Sequence, residues 1–179
     1  AVAGDRLVPL LASREGHEHD PWPPSPPLQE LYFHPAGDTP TAMLVGMAGS
    51  SHWSVAVQLV QAQQALYFDV ACRIKGKLPE RADGQNRGSP LSSVYRTLAC
   101  PLPESIQAAR LVLHDLAVRL ATEPADPSAD PEDIQLATIS TAEDTLQIVP
   151  SPGTDSSPRT VRWRYGLRHT NVARQTALQ

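Results

Sequence analysis

The sequence predicts an α+β domain: an antiparallel sheet of about five to seven strands packed against one main helix. Three observations point there. Short runs with apolar and polar residues in alternation recur from Leu28 onward, and alternation is the mark of a half-buried strand. The connections between the first of these runs are short and polar, which suits hairpins rather than parallel crossovers. One stretch after Pro103 breaks the pattern, with Ile106, Ala109, Leu113, Leu116, Ala117 and Leu120 spaced as on one helical face.

Composition bounds the domain. The 179 residues suffice for one domain with a real core. Proline occurs 18 times, against the ~9 that average usage would give. The prolines cluster, so the predicted organisation is a proline-rich arm over 1–27, a single domain over 28–170 and a tail over 171–179. The net charge of −4 argues against nucleic acid as the main partner. Cys72 and Cys100, the two cysteines, form neither a spaced metal motif nor a disulfide framework. No run approaches a membrane span, and "AVAGDRLVPLLASREG" lacks the basic start and long apolar core of a secretory signal. A cytoplasmic protein with no membrane partner and no cofactor is expected.

Taken in order, "SREGHEHDPWPPSPP" (13–27) favours polyproline II, because its prolines remove backbone donors. Leu7 to Leu11 offers a short edge strand before it. "LQELYFH" alternates and ends in a turn built on Pro35, Gly37, Asp38 and Pro40. "AMLVGMA" (42–48) is apolar on both faces, as a central strand should be. Trp53, Val55, Val57 and Leu59 then alternate with Ser54, Ala56 and Gln58. In "ALYFDVACRI" one face carries Leu66, Phe68, Val70 and Cys72, the other Tyr67, Asp69, Ala71 and Arg73. A charged, turn-rich loop occupies 75–90, and "LSSVYRTL" (91–98) resumes as a strand. The predicted helix runs to about Thr122, with Asp115 and Arg119 placed to pair four residues apart. After an acidic, proline-broken linker, "IQLATIS" and "DTLQIVP" supply one or two strands. "TVRWRYGLRH" alternates best of all, with Val161, Trp163, Tyr165 and Leu167 against Arg162, Arg164, Gly166 and Arg168.

Several groups of residues could carry chemistry. "GSSHW" (49–53) reads first as a hairpin turn, in which Ser50 and Ser51 make turn hydrogen bonds. His52 is the sharper candidate, since imidazole titrates near neutral pH and can act as a base. The segment is not the Gly-x-Ser-x-Gly pattern of a strained nucleophile turn. His17 and His19 have metal-ligand spacing, yet two ligands on a proline-rich arm lack the third that a real site needs, so no metal is expected. The cations Arg73, Lys75 and Lys77 lead into the loop that holds Arg81 and Asp83, which suits an anionic ligand or an acidic partner surface. No glycine-rich phosphate loop is evident. Arg162, Arg164 and Arg168 form a basic stripe, for which the acidic stretch between Glu123 and Asp144 is an internal match.

The middle of the chain resembles a bacterial family known as the domain of unknown function 2617. The similar pieces are "GSSHW" (49–53), "LPERADG" (78–84), "SSVYRTL" (92–98) and "VRWRY" (161–165), which together cover under half the chain. The resemblance brings no established activity. It implies that His52, Arg81, Asp83 and Arg96 form a connected polar set. Three functional readings follow. The first is a non-enzymatic module that binds a protein or small ligand through the loop 75–90. The second is a hydrolase- or lyase-like enzyme, with His52 oriented by Asp83 and an anion held by Arg81. The third is an RNA-binding sheet, which requires Trp163 and Tyr165 to be exposed beside the arginines.

Overall fold

Alternation makes strands wherever one side of the chain can be buried and the other wetted, and most of the described residues obey that rule. In the computed structural model the described residues are 2–3, 6–7, 9–16, 23–26, 28–34, 39–75, 91–98, 108–113, 116–123, 137–150 and 159–170. They form β1 (Val2–Ala3), β2 (Arg6–Leu7), β3 (Leu11–Ser13), β4 (Glu30–His34), β5 (Thr41–Ala48) and β6 (Ser51–Val60). A single 3-10 turn, Gln61–Gln63, leads into β7 (Ala65–Ile74). Then come β8 (Ser93–Thr97), β9 (Ala108–Leu113), β10 (Leu116–Glu123), β11 (Thr138–Ala142), β12 (Thr145–Val149) and β13 (Arg159–Thr170).

Apart from the small β1-β2 pair, these strands make two antiparallel sheets. The larger has the order β4-β5-β6-β7-β13-β10-β9, and the smaller β11-β12-β8-β3. Their inner faces share one core. Trp53, Val55, Val70, Cys72, Trp163 and Tyr165 come from the large sheet, and Ile139, Leu146 and Ile148 from the small one. Trp53 and Trp163 meet edge to face with ring centroids 6.0 Å apart, an arrangement that the ring quadrupoles favour. Polar tips are satisfied across the gap between sheets. The Trp163 indole donates to Ser93 Oγ at 3.0 Å, and the Tyr95 and Tyr165 hydroxyls hydrogen-bond each other. Ser25, buried beside Pro23 and Pro26, donates to the Val94 carbonyl and accepts from the Val94 amide, both at 2.8 Å.

The α+β expectation is therefore corrected to all-β. Among the described residues there is no α-helix, and the stretch read as the main helix is the hairpin β9-β10. Leu113 pairs with Leu116, so the two halves of the supposed helical stripe lie side by side as strands. The reason is the neighbouring strand. β13 is twelve residues long, and its edge away from β7 carries peptide groups that need partners. β10 supplies them over seven pairs, from Ala117 opposite Thr170 to Glu123 opposite Arg164. Leucine and alanine at three- and four-residue spacing also fit a strand when Val112 and Val118 favour one, and the long-range pairing decides. The other stretches read as strands, from "LQELYFH" to "TVRWRYGLRH", overlap β4, β5, β6, β7, β8, β11, β12 and β13.

Candidate functional site

Two-residue hairpins turn a regular alternation into a defined register, and the one between β5 and β6 builds the site. Ala48 pairs with Ser51, which leaves Gly49 and Ser50 as the turn. Gly49 has φ 54°, the left-handed value a primed hairpin turn asks of its first residue, where glycine carries no steric penalty. Ser51 is buried and fully engaged: its hydroxyl donates to the Ala48 carbonyl at 2.7 Å and accepts from the Trp53 indole at 2.9 Å. It is a structural hydroxyl that anchors Trp53 in the core. His52, one residue on, therefore points to the opposite, outer face of the large sheet.

On that face the register sets Met47, His52, Arg73 and Thr160 in one row across β5, β6, β7 and β13. The adjacent row runs Val45, Ser54 and Ala71 to Arg162, with Glu30 of β4 opposite Val45. Short side chains in the second row beside long ones in the first leave a dip. The result is a concavity of about 450 Å³, lined by Glu30, Val45, Met47, His52, Ser54 and Arg73 among others. Gln29 reaches into the same wall and accepts from the Met47 amide at 3.3 Å. An acid, an imidazole, a guanidinium and a hydroxyl thus converge over a partly apolar floor. Arg73 and Lys75 stand where β7 leaves the sheet for the segment 76–90.

The other end of the outer face is closed by its own partners. Arg162 donates to Asp69 at 2.6 Å across the strands. Tyr67 is buried on this face, with the Arg164 guanidinium 5.0 Å from its ring centroid and Arg168 5.4 Å away. Its hydroxyl donates to Gln63 and accepts from Arg168, each at 2.5 Å. Gly166 lies directly opposite Tyr67, and a Cβ there would meet the ring at 2.9 Å.

Of the residues singled out by sequence, His52 lines the concavity. Arg96 does not share it: Arg96 lies on β8 of the small sheet, lining a separate concavity of about 330 Å³ with Ala12, Ser13, Arg14 and Asp144. Arg81 and Asp83 lie outside the described residues, as do His17 and His19. Among the described residues no three His, Cys, Asp or Glu side chains group as a metal site would need. Trp163 and Tyr165 are each only 2% exposed, so neither ring is a platform on which a base could stack. Cys72 is buried in the core, and desolvation pushes its thiol up to about 12, which keeps it protonated and unreactive. Burial likewise drives the Tyr165 hydroxyl well above its ordinary range.

Glu30, Gln29, Ser54 and Thr160 were missed by sequence reasoning. Their strands were legible, but only long-range register brings β4 and β13 to the same dip as His52. The polar parity of β6 and β7, which puts His52, Ser54 and Arg73 on wet faces, was the one available signal.

Compared with known proteins, no family model matches the chain, nor does any curated protein or solved structure. Among the described residues, no helix is long and apolar enough to cross a membrane.

Proposed function

We propose that this domain is a non-enzymatic binding module. It takes an anionic group of a small ligand or of a protein segment in the concavity beside His52, at the root of the loop 75–90. The observation that carries this reading is the concavity itself: about 450 Å³, on a rigid sheet, with His52 and Arg73 in one row over Val45 and Ala71. A volume of that order lies in the range of ordinary ligand sites, which combine an apolar floor with a few placed polar groups. Arg73 supplies a guanidinium suited to a carboxylate or phosphate, and Lys75 adds charge at the exit of β7. Neither Ser51, which anchors Trp53, nor Cys72, which lies on the inner face, is turned towards the concavity.

Amide-shift mapping tests the reading, with succinate and a short glutamate-rich peptide as probes. Saturable shifts confined to residues 45–47, 52–54 and 71–75 are expected, and Arg73→Ala should abolish them while the rest of the spectrum is unchanged. No saturable shift with either probe, or shifts centred on Arg14 and Arg96 instead, would remove the assignment.

A further inference from the structure

β4 is the terminal strand of the large sheet, and its composition is unlike a guarded edge. Natural edge strands are usually blunted by lysine, proline or a bulge, because an open row of peptide groups invites another strand. Glu30–His34 contains no lysine or proline and pairs with β5 in five consecutive positions, from Glu30 opposite Val45 to His34 opposite Thr41. Among the described residues no strand pairs with its other edge. All five residues are exposed, including three large apolar or aromatic ones: Leu31 at 52%, Tyr32 at 55% and Phe33 at 77%.

We propose that two copies of this chain associate edge to edge through β4, antiparallel about a two-fold axis at Tyr32. The segment "ELYFH" is complementary to itself read backwards. The axis at Tyr32 sets Glu30 opposite the partner's His34, so a carboxylate meets an imidazole at both ends of the pairing. Leu31 falls opposite the partner's Phe33, which joins the apolar pairs on the face that the small sheet covers elsewhere. Tyr32 meets its own copy. Cross-strand pairs of opposite charge and of aromatic with aliphatic side chains are those that stabilise antiparallel strands.

Backbone geometry agrees with this axis. Within a strand the peptide groups of alternate residues point to alternate edges, so a new strand must match like parity with like. An axis through a residue does that, whereas an axis between residues does not. Moving the axis to Leu31 or Phe33 keeps the parity but leaves an end unpaired and sets Glu30 or His34 against Tyr32. Tyr32 is the one centre that pairs all five residues and sets each Glu30 against a His34. The contact is isologous, so it closes at two subunits.

Sedimentation of the full chain over a wide concentration range tests the proposal, and a monomer–dimer equilibrium is expected. His34→Glu sets two carboxylates against each other and should weaken the dimer by about tenfold or more, since like charges directly opposite are destabilising. Glu30→Lys combined with His34→Glu should restore it. The register is read separately by cross-linking in a Cys100→Ser background. Tyr32→Cys places two thiols on the axis, with Cα atoms ~4.5–5.5 Å apart as in directly opposed residues, within reach of a disulfide. Leu31→Cys should cross-link poorly, because it faces the partner's Phe33. The changes at positions 30, 31, 32 and 34 lie at exposed positions, so unaltered melting temperatures of the monomer accompany them. A chain that stays monomeric at every concentration, a dimer indifferent to His34→Glu, or equal cross-linking at positions 31 and 32 would overturn the proposal.

Discussion

The two faces of β6, β7 and β13 are built from the same three strands and do opposite work. Inward, Trp53, Val70, Cys72, Trp163 and Tyr165 are sealed between the sheets and touch one another. Outward, His52 and Arg73 line a dip that opens to water, and the buried positions, Ala65, Tyr67 and Gly166, lie at the far end. The difference teaches where stability and recognition reside. Burying an indole ring stabilises by several times what an exposed ion pair contributes, so the inner face can carry the fold and leave the outer face open for contacts with other molecules.

The widest contrast is expected from Trp163→Ala. The substitution removes the edge-to-face partner of Trp53 and the donor to Ser93. Denaturant unfolding should show a loss of about 3–5 kcal/mol, as for other buried aromatic truncations.

Gly166→Ala breaks the simple division, since it acts on the outer face yet should cost about 2 kcal/mol, in the range for overpacked sites. The added Cβ would press on the Tyr67 ring at 2.9 Å, and that ring already has the Arg164 and Arg168 guanidiniums 5.0 and 5.4 Å from its centroid. A melting temperature unchanged from wild type would show that Tyr67 can move aside.

A pH dependence marks the inner face. The Cys72 thiol titrates near 9.0 without burial and is pushed up to about 12 in the fold, first by desolvation. Above pH 9 the unfolded chain therefore holds fewer protons than the folded one, and stability falls as pH rises from about 9 towards about 12. Burial of Tyr165 and Tyr95 acts in the same direction at higher pH. Urea midpoints at pH 8 and pH 10 should differ more in the wild type than in Cys72→Ala.

Arg162→Ala should have the smallest effect. The pair with Asp69 lies on the wet face, with the arginine side chain 52% exposed, and a shift of about 0.5 kcal/mol or less is expected. A larger loss would make the outer face part of the stabilising framework.

How much of this was legible in the chain depends on the range of the interaction. β13 was readable because each residue from Val161 to Arg168 takes its facing from its immediate neighbours, and the buried indole of Trp163 follows directly. The segment 108–123 was misread because its apolar positions satisfy a period of 3.6 and a period of 2 alike, so local spacing could not choose. His52 was read at the mouth of a strand, and it is the second residue of β6. That His52 and Arg96 lie on different sheets could not be read locally, because nothing near either residue says which strands β6 and β8 will join.

Alternation by itself determined the strands β4 to β8 and β11 to β13, which residues of each face alike, and where Gly49 turns the chain, since these are set by steric and solvation effects within a few residues. Which strands neighbour one another, the recruitment of 108–123 into the sheet, and the meeting of Glu30, His52, Arg73 and Thr160 over one dip were decided only by the tertiary structure. Edge peptide groups must find partners, and those partners are chosen from the whole chain.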